Sequence, residues 1–302
     1  FLVDVLLNLE AKVDCIDNFS TGKLENLSHL VRQHGFKLFN EDVCSFKGNA
    51  KYDYILHMAS HVSPEEYQRC PIATLQSNSL GSFAMLELAR KSDATILFAS
   101  TSEIYGDPEV LPTPESYAGC VDPVGARSCY REGKRFAESL FTAYNKEYDL
   151  NAKIARIFNT YGPRMRSDGC YARVVPRFTT QALAEAPLTI YGDGKQTRSF
   201  CYITDTVNGL MLLATDDEAG LEVVNIGNPV EITILELAQK IIELTKSKSK
   251  LTFCPMPEDD PKKRCPNTSK MEKLMGWKPK ISLEQGLKRT VKWFARSQCK
   301  LS

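Results

Sequence analysis

The sequence predicts an α/β chain on a doubly wound parallel sheet, followed by a smaller C-terminal unit. Short β-rich runs that are apolar on both faces recur through the first half, and helix-patterned stretches separate them. After about residue 160 the alternation loosens into glycine- and proline-rich turns. The 302 residues amount to about two domains of ~150, so the division is placed at 1–160 and 161–302.

Residues 1–9 read as a helix. The strand runs follow as KVDCID (12–17), FKLFNED (36–42), DYILHMAS (53–60), TILFAS (95–100) and AKIARIFN (152–159), with helical stretches at 24–34, 71–92 and 130–149. Strands joined through helices must run parallel, with both faces of the sheet covered. A later run, LEVVNIG (221–227), is expected to return to this sheet. The second unit opens with the turn YGPRM, continues with a helix from about Arg173 and a glycine loop YGDGKQTR, and has helices near 204–215, 232–245 and 283–296. Ligands of such sheets lie at the carboxyl ends of the strands, so residues just after each run are the candidates.

Composition narrows the function classes. Lys plus Arg number 38 against 37 Asp plus Glu, so no overall field would gather nucleic acid or an acidic membrane. No apolar run reaches the ~18 residues of a membrane span, and the start FLVDVLLNLE lacks the pattern of a secretory signal. The ten cysteines contain no CxxC pair, which favours buried free thiols in a reducing compartment over disulfides or zinc. The reading is cytoplasmic, with no metal and small molecules as partners, and with an anchor before residue 1 left open. All four histidines lie at or before position 61, so a site built from later segments must use Tyr, Lys, Asp or Glu for its proton chemistry.

Asp17 closes the run KVDCID and precedes NFSTG. A carboxylate there can accept from both hydroxyls of an adenosine ribose and repels a 2′-phosphate, so it favours NAD over NADP; an Asp that merely opens a turn is the alternative. Asp42 follows the next strand and could meet the adenine amino group. The glycine-rich turn and strand that should precede Asp17 by about 20 residues do not occur in the sequence, so the chain is read as entering just after them, either as a fragment or as a protein that has lost its main pyrophosphate cradle.

Tyr130 and Lys134 stand four apart at the start of an amphipathic stretch carrying Phe136, Leu140, Phe141 and Tyr144. An ammonium beside a phenol, with a positive nicotinamide nearby, lowers the phenol toward a useful base. A second pair of this spacing, Tyr191 and Lys195, spans two glycines and reads as loop.

Together TSEIYGD (101–107), CYREGKR around Tyr130, RIFNTYGPRM (156–165), YGDGKQTRSF (191–200) and DDPKKR (259–264) resemble the extended short-chain dehydrogenase/reductase superfamily. Within it the chain is most similar to the UDP-glucuronate decarboxylases (UDP-xylose synthases). The resemblance implies a Rossmann-type NAD-binding domain and a smaller substrate-binding domain. It implies that Thr101 hydrogen-bonds the sugar hydroxyl being oxidised, that Tyr130 is its base, and that Lys134 holds the nicotinamide ribose and tunes Tyr130. Asp17, Asn18, Phe19, Ser20, Thr21, Gly22, Asp42, Val43, Ser60, Ala99 and Thr160 would line NAD. Asn159, Arg173, Tyr191, Gln196 and Arg264 would hold UDP, with Arg198 approaching the sugar carboxylate. Glu103 separates decarboxylases and some dehydratases from epimerases, which usually have a small or hydroxylic residue there; its bland alternative is a solvent-facing Glu at a strand end.

The implied reaction turns UDP-glucuronate into UDP-xylose through a 4-keto intermediate, with NAD recycled in place. A 4-epimerase or 4,6-dehydratase, and a non-catalytic sugar-binding relative, are the alternatives. Family members pair through two long helices, here 71–92 and 130–149, so a homodimer is expected, with Leu86 and Phe141 among its exposed apolar residues. The chain departs from the family pattern at Arg131, where Asp is usual beside the tyrosine, at His61 and Glu65 in SHVSPEEY, in the long CYARVV stretch (170–175), and at Asn267 in place of Asp.

Overall fold

A computed structural model describes residues 1–302 except 49, 168–172, 217–219, 258–260, 262 and 299–302. The elements in order are α1 (Leu2–Asn8), β1 (Val13–Ile16), β2 (Phe36–Phe39), β3 (Tyr54–His57), α2 (Pro64–Arg69), α3 (Pro71–Asn78), α4 (Leu80–Ser92), β4 (Thr95–Thr101), α5 (Ser128–Tyr148) and β5 (Ala152–Ile157). They continue as β6 (Thr160–Tyr161), α6 (Val174–Leu183), β7 (Leu188–Tyr191), β8 (Thr197–Ser199), β9 (Cys201–Tyr202), α7 (Ile203–Ala214) and β10 (Glu222–Ile226). The last are β11 (Glu231–Thr233), α8 (Ile234–Thr245), β12 (Leu251–Cys254), α9 (Ser269–Met275) and α10 (Leu283–Gln298).

The main sheet has the order β10-β5-β4-β3, with every pairing parallel. β4 lies inside it, and Ile96, Leu97 and Phe98 are fully buried because both faces are covered. The run at 221–227 does return to this sheet, as the edge strand beside β5. β1 and β2 pair in parallel with each other as a separate two-stranded ladder.

On one face, α4 and α5 pack Met85, Leu86, Ala89, Ala137, Phe141 and Tyr144 against Ile96, Phe98 and Ile154. Burying the Phe141 ring is worth about 3 kcal/mol. On the other, α7, α9 and the residue after its glycine cap bring Leu210, Leu213, Met271 and Trp277 against Leu97, Ala155, Val224 and Ile226. That layer therefore comes from residues beyond 200, although they follow the loosened part of the sequence. A second core forms where α6, α8 and α10 enclose β7, with Phe178, Leu188, Ile190, Leu237, Ile241 and Leu287 buried. α8 starts with a capping box, in which Thr233 accepts from the Glu236 amide and Glu236 reaches back to the Thr233 amide.

Several expectations change. The stretch 24–34 is not a helix. After a single 3₁₀ turn at Leu24–Asn26, successive i→i+3 bonds run from Leu27 to Leu24, Leu30 to Leu27 and Gln33 to Leu30, and this three-residue spacing turns Leu27 and Leu30 toward Val13 and Phe36. The stretch 71–92 breaks at Ser79, whose hydroxyl donates to the Leu75 carbonyl at 2.6 Å; such back-bonding competes with the helix ladder. A short helix, α2, precedes it between Pro64 and Pro71, each proline at a first helical position where its missing N–H costs nothing. Leu86 and Phe141 are fully buried, not exposed. The eight described cysteines are free thiols, but Cys129, Cys201 and Cys265 alone among them are buried and Cys120 is exposed. Among the described residues no helix is long and apolar enough to cross a membrane, and no His, Cys, Asp and Glu cluster could hold a metal.

Candidate active site

β4 delivers Thr101 at its carboxyl end, and a tight 3₁₀ turn, Ser102–Tyr105, carries Glu103. The Thr101 hydroxyl accepts from the Glu103 amide at 3.2 Å. It also shares a hydrogen bond with the Tyr130 phenol. With one of its two lone pairs taken by that N–H, the Thr101 hydroxyl keeps its proton and a second lone pair for the phenol.

Tyr130 stands in the first turn of α5 and is only 4% exposed. Its ring lies flat on Tyr67 of α2, with centroids 5.0 Å apart and planes 2° apart. Burial pushes the phenol up to about 12, and the Glu103 carboxylate adds to that, while Thr101, Arg173 and Arg264 pull it back. Lys134 follows one turn on. Its ammonium donates to the Ala99 carbonyl at 2.8 Å and sits 4.5 Å from the Phe98 ring but 6.0 Å from the Tyr130 ring. Arg173 and Arg264 also act on the phenol. Burial in turn draws Lys134 down to about 7, with Glu138 opposing. The neighbouring His57 is buried and pulled down to about 3 by desolvation and by Lys134, so it stays neutral.

Glu103 does not face solvent. It is buried, with Arg131 Nε 3.7 Å from one carboxylate oxygen and Arg264 Nη1 3.7 Å from the other. The Tyr67 hydroxyl donates to it at 3.5 Å. Burial alone would raise its pKa, but Arg264, Arg127, Arg131 and Arg173 outweigh this and hold the carboxyl below its ordinary value. Arg127, Arg173 and Arg264 also line a cavity, where guanidinium groups suit an anionic ligand.

That cavity has a volume of about 940 Å³. Its walls hold Glu103, Asn159, Thr160, Arg173, Tyr191, Gln196, Arg198 and Arg264, so all the residues that the resemblance assigns to the nucleotide-sugar meet there. Arg177 stacks over Tyr191 at 4.8 Å from its centroid. Gln196 donates to the Tyr191 carbonyl while its own buried Oε1, like Nε and Nη2 of Arg264, has no hydrogen-bond partner among the described residues. Buried polar atoms of this kind are the groups a ligand would satisfy. Arg173 is exposed and donates to the Val62 carbonyl at 3.1 Å. Arg198 is held by the Thr197 carbonyl, and Asn159 by that of Ser199.

The residues expected to line a dinucleotide form a second group. Asp17 ends β1, accepts from the Phe19 amide at 2.8 Å, and has Gly22 folded back on it so closely that a Cβ there would lie 2.8 Å from its carboxylate. Asn18 donates to Asp42, which also caps the Cys44 amide, and the Ser20 amide donates to Asn18. Val43 packs into the main core. Ser60 accepts from Asn78, the Ala99 carbonyl holds Lys134, and Thr160 bonds to Thr206. This set fits an adenosine: a glycine loop kept open in front of a strand-end carboxylate, with a further carboxylate beside it.

Tyr67, Arg127 and Arg177 were not foreseen. Tyr67 meets Tyr130 across 63 positions of sequence, between helices whose packing no linear pattern states. Asp259, Asp260 and Lys262 of DDPKKR, and Cys170, Tyr171 and Ala172 of CYARVV, lie outside the described residues.

A parallel α/β sheet with a hydroxyl and a carboxylate at the end of its inner strand, a helix-borne phenol bonded to that hydroxyl, and an arginine-lined cavity that the carboxylate faces defines a nucleotide-dependent enzyme of small molecules. The family model of GDP-mannose 4,6 dehydratase matches residues 1–290, and the chain belongs to that family. It is similar to UDP-glucuronic acid decarboxylase 1 of Danio rerio, with 46% identity over 98% of this chain and 69% of that one. It is similar to UDP-glucuronic acid decarboxylase 4 of Arabidopsis thaliana, with 46% identity over 97% of this chain and 65% of that one. Among solved structures it resembles UDP-glucose 4-epimerase with UDP-glucose from Thermotoga maritima, at TM-score 0.90 and 29% identity over 98% of this chain and 95% of that one. It also resembles UDP-glucose 4-epimerase complexed with NAD from Thermus thermophilus, at TM-score 0.84 and 25% identity over 97% and 94%.

Proposed function

We propose that this chain is a lyase that decarboxylates UDP-glucuronate to UDP-xylose with NAD. The observation that carries the reading is the single cavity in which Glu103, Arg173, Arg198 and Arg264 converge beside the Thr101–Tyr130 pair. The decarboxylase relatives and the UDP-sugar and NAD seen in structural relatives support it.

Residues 1–160 would hold NAD through the Asp17–Gly22 loop, Asp42, Val43, Ser60, Ala99, Tyr130 and Lys134, with Thr160 at the boundary. Residues 161–302 would supply Arg173, Tyr191, Gln196, Arg198 and Arg264 for the UDP-sugar, with Asn159 beside them. A bound NAD supplies the reversible two-electron oxidation at carbon 4. With the positive charge of a bound NAD drawing its raised pKa back down, Tyr130 would take the proton of the carbon 4 hydroxyl, which Thr101 orients. A ketone at carbon 4 lies β to the carboxylate, so carbon dioxide leaves with its bonding pair retained on the sugar as an enolate. Tyr130, now protonated, and Thr101 hydrogen-bond that oxyanion. A proton from solvent at carbon 5, then return of the Tyr130 proton to the carbon 4 oxygen as the ketone is reduced again, would give UDP-xylose. Glu103, held ionised by its arginines, is no proton donor; it is a fixed negative charge that favours departure of the substrate carboxylate as a neutral molecule.

The test is incubation with NAD and UDP-glucuronate labelled in the carboxyl carbon. Labelled carbon dioxide is expected; conversion of another UDP-sugar with no such release would assign a different reaction. The free thiols support a reducing compartment. A homodimer is supported by an apolar face shared by α4 and α5, where Leu80, Phe83 and Phe136 are exposed and the last two rings lie 6.2 Å apart.

A further inference from the structure

The segment after β6 crosses to the opposite wall of the cleft at several points. Arg164 adopts a left-handed backbone at φ 64°, and its guanidinium pairs with Asp4 of α1 at 2.6 Å. Two residues on, Nη1 of Arg166 donates to the Thr21 carbonyl at 3.2 Å and pairs closely with Glu66. Arg173 then reaches the Val62 carbonyl, two residues before α2.

Arg166 is the crossing with the most to hold. Thr21 belongs to the loop that packs against Asp17. Glu66 lies on α2 one residue before Tyr67, whose ring carries Tyr130, and it is only 4% exposed. A carboxylate that buried needs a counter-charge, and Arg166 provides it from the other wall. One guanidinium thus touches the proposed dinucleotide loop and the helix behind the catalytic phenol, seven residues ahead of a cavity arginine.

We infer that Arg166 is a positioning residue that couples occupation of the nucleotide-sugar cavity to order in the Asp17–Gly22 loop and in α2. The identity of the two ligands rests on the reading above; the coupling rests on the three contacts. Met165, the residue before Arg166, lines the cavity, so an occupant bears directly on the backbone that carries Arg166 and tightens its bonds to Thr21 and Glu66. Coupling of this kind is reciprocal, so dinucleotide in turn strengthens sugar-nucleotide binding by the same factor.

Amide hydrogen exchange reads it directly. In the unaltered chain, saturating UDP should slow exchange at residues 18–22 and 64–67 by about fivefold or more, within the usual range of coupling between sites. In Arg166→Gln that protection should vanish, although UDP still binds, because Arg173, Arg198 and Arg264 remain. Arg166→Lys keeps a charge for Glu66 without the forked donors, and should preserve protection of α2 while losing that of the loop. It also serves if the glutamine variant does not fold. Equal protection in the unaltered chain and both variants, or no protection by UDP in the unaltered chain, overturns the coupling. Carbon dioxide release is scored separately: turnover with unchanged protection refutes the role of Arg166 alone, whereas protection lost as expected in a chain that does not decarboxylate refutes the reaction alone.

Discussion

Replacing Glu103 by Gln keeps the shape of the side chain and removes its charge from a nest of arginines. At 3.7 Å each, the contacts with Arg131 and Arg264 are worth at most about 4.5 kcal/mol apiece at an effective dielectric near 20. Much of that is offset by desolvation, since the carboxylate is buried. Removal of one partner from such a buried cluster typically costs about 3–5 kcal/mol, because the remaining charges stay buried and uncompensated. At roughly 2–4 °C per kcal/mol for a chain of this size class, the lower figure corresponds to a fall in Tm of about 6–12 °C. Inorganic phosphate or UDP, by supplying an anion to the same arginines, should recover more of the Tm in the variant than in the parent. In turnover, release of labelled carbon dioxide should fall further than formation of the 4-keto intermediate. The assays are thermal denaturation with and without added anion, and product analysis from carboxyl-labelled substrate. A Tm within about 2 °C of the parent would show that the charge cluster does not depend on Glu103, and equal loss of both chemical steps would leave Glu103 with a structural part only.

Tyr130→Phe should lower turnover by about 10²–10⁴-fold, the usual worth of a positioned acid–base group, while UDP affinity measured by calorimetry stays near that of the parent and stability falls by about 1 kcal/mol for the lost Thr101 bond; near-normal turnover removes the phenol from the mechanism. Lys134→Met tests the buried ammonium. Because burial lowers the folded pKa from 10.5 to about 7, the unfolded chain binds more protons between those values, so this group makes the parent gain stability as pH rises. The methionine variant should therefore compare best at or below pH 7, and its advantage should shrink by roughly 3 kcal/mol by pH 9.5 in urea titrations; a widening gap contradicts the assignment. Phe83→Glu, on the exposed face shared by α4 and α5, should convert a dimer to monomer in sedimentation experiments without altering the helix content, and an unchanged mass would place any subunit contact elsewhere.

The legible part of the molecule was the part written in local pattern. Runs that are apolar on both faces could only be interior parallel strands, and the spacing of Tyr130 and Lys134 placed both on one helix. Asp17 could be singled out because a strand end is where a doubly wound sheet binds its ligand. What the pattern blurred was wherever packing overrides propensity: the 24–34 stretch has helix-like spacing but turns in threes to bring Leu27 and Leu30 into the small core under α1, and Ser79 breaks what reads as one long helix.

The chain's order of residues was enough to determine the parallel strands of the sheet and the residue types available for proton transfer, because these follow from period, from the ends of strands and from the lack of late histidines. Only the tertiary structure decided the electrostatics. Whether Glu103 faces water or four arginines, that Arg173 and Arg264 come to bear on the phenol, and which wall Arg166 reaches all depend on groups distant in sequence brought close in a poorly screened interior. Charges interact through space and burial, and neither is written in the spacing of a single strand or helix.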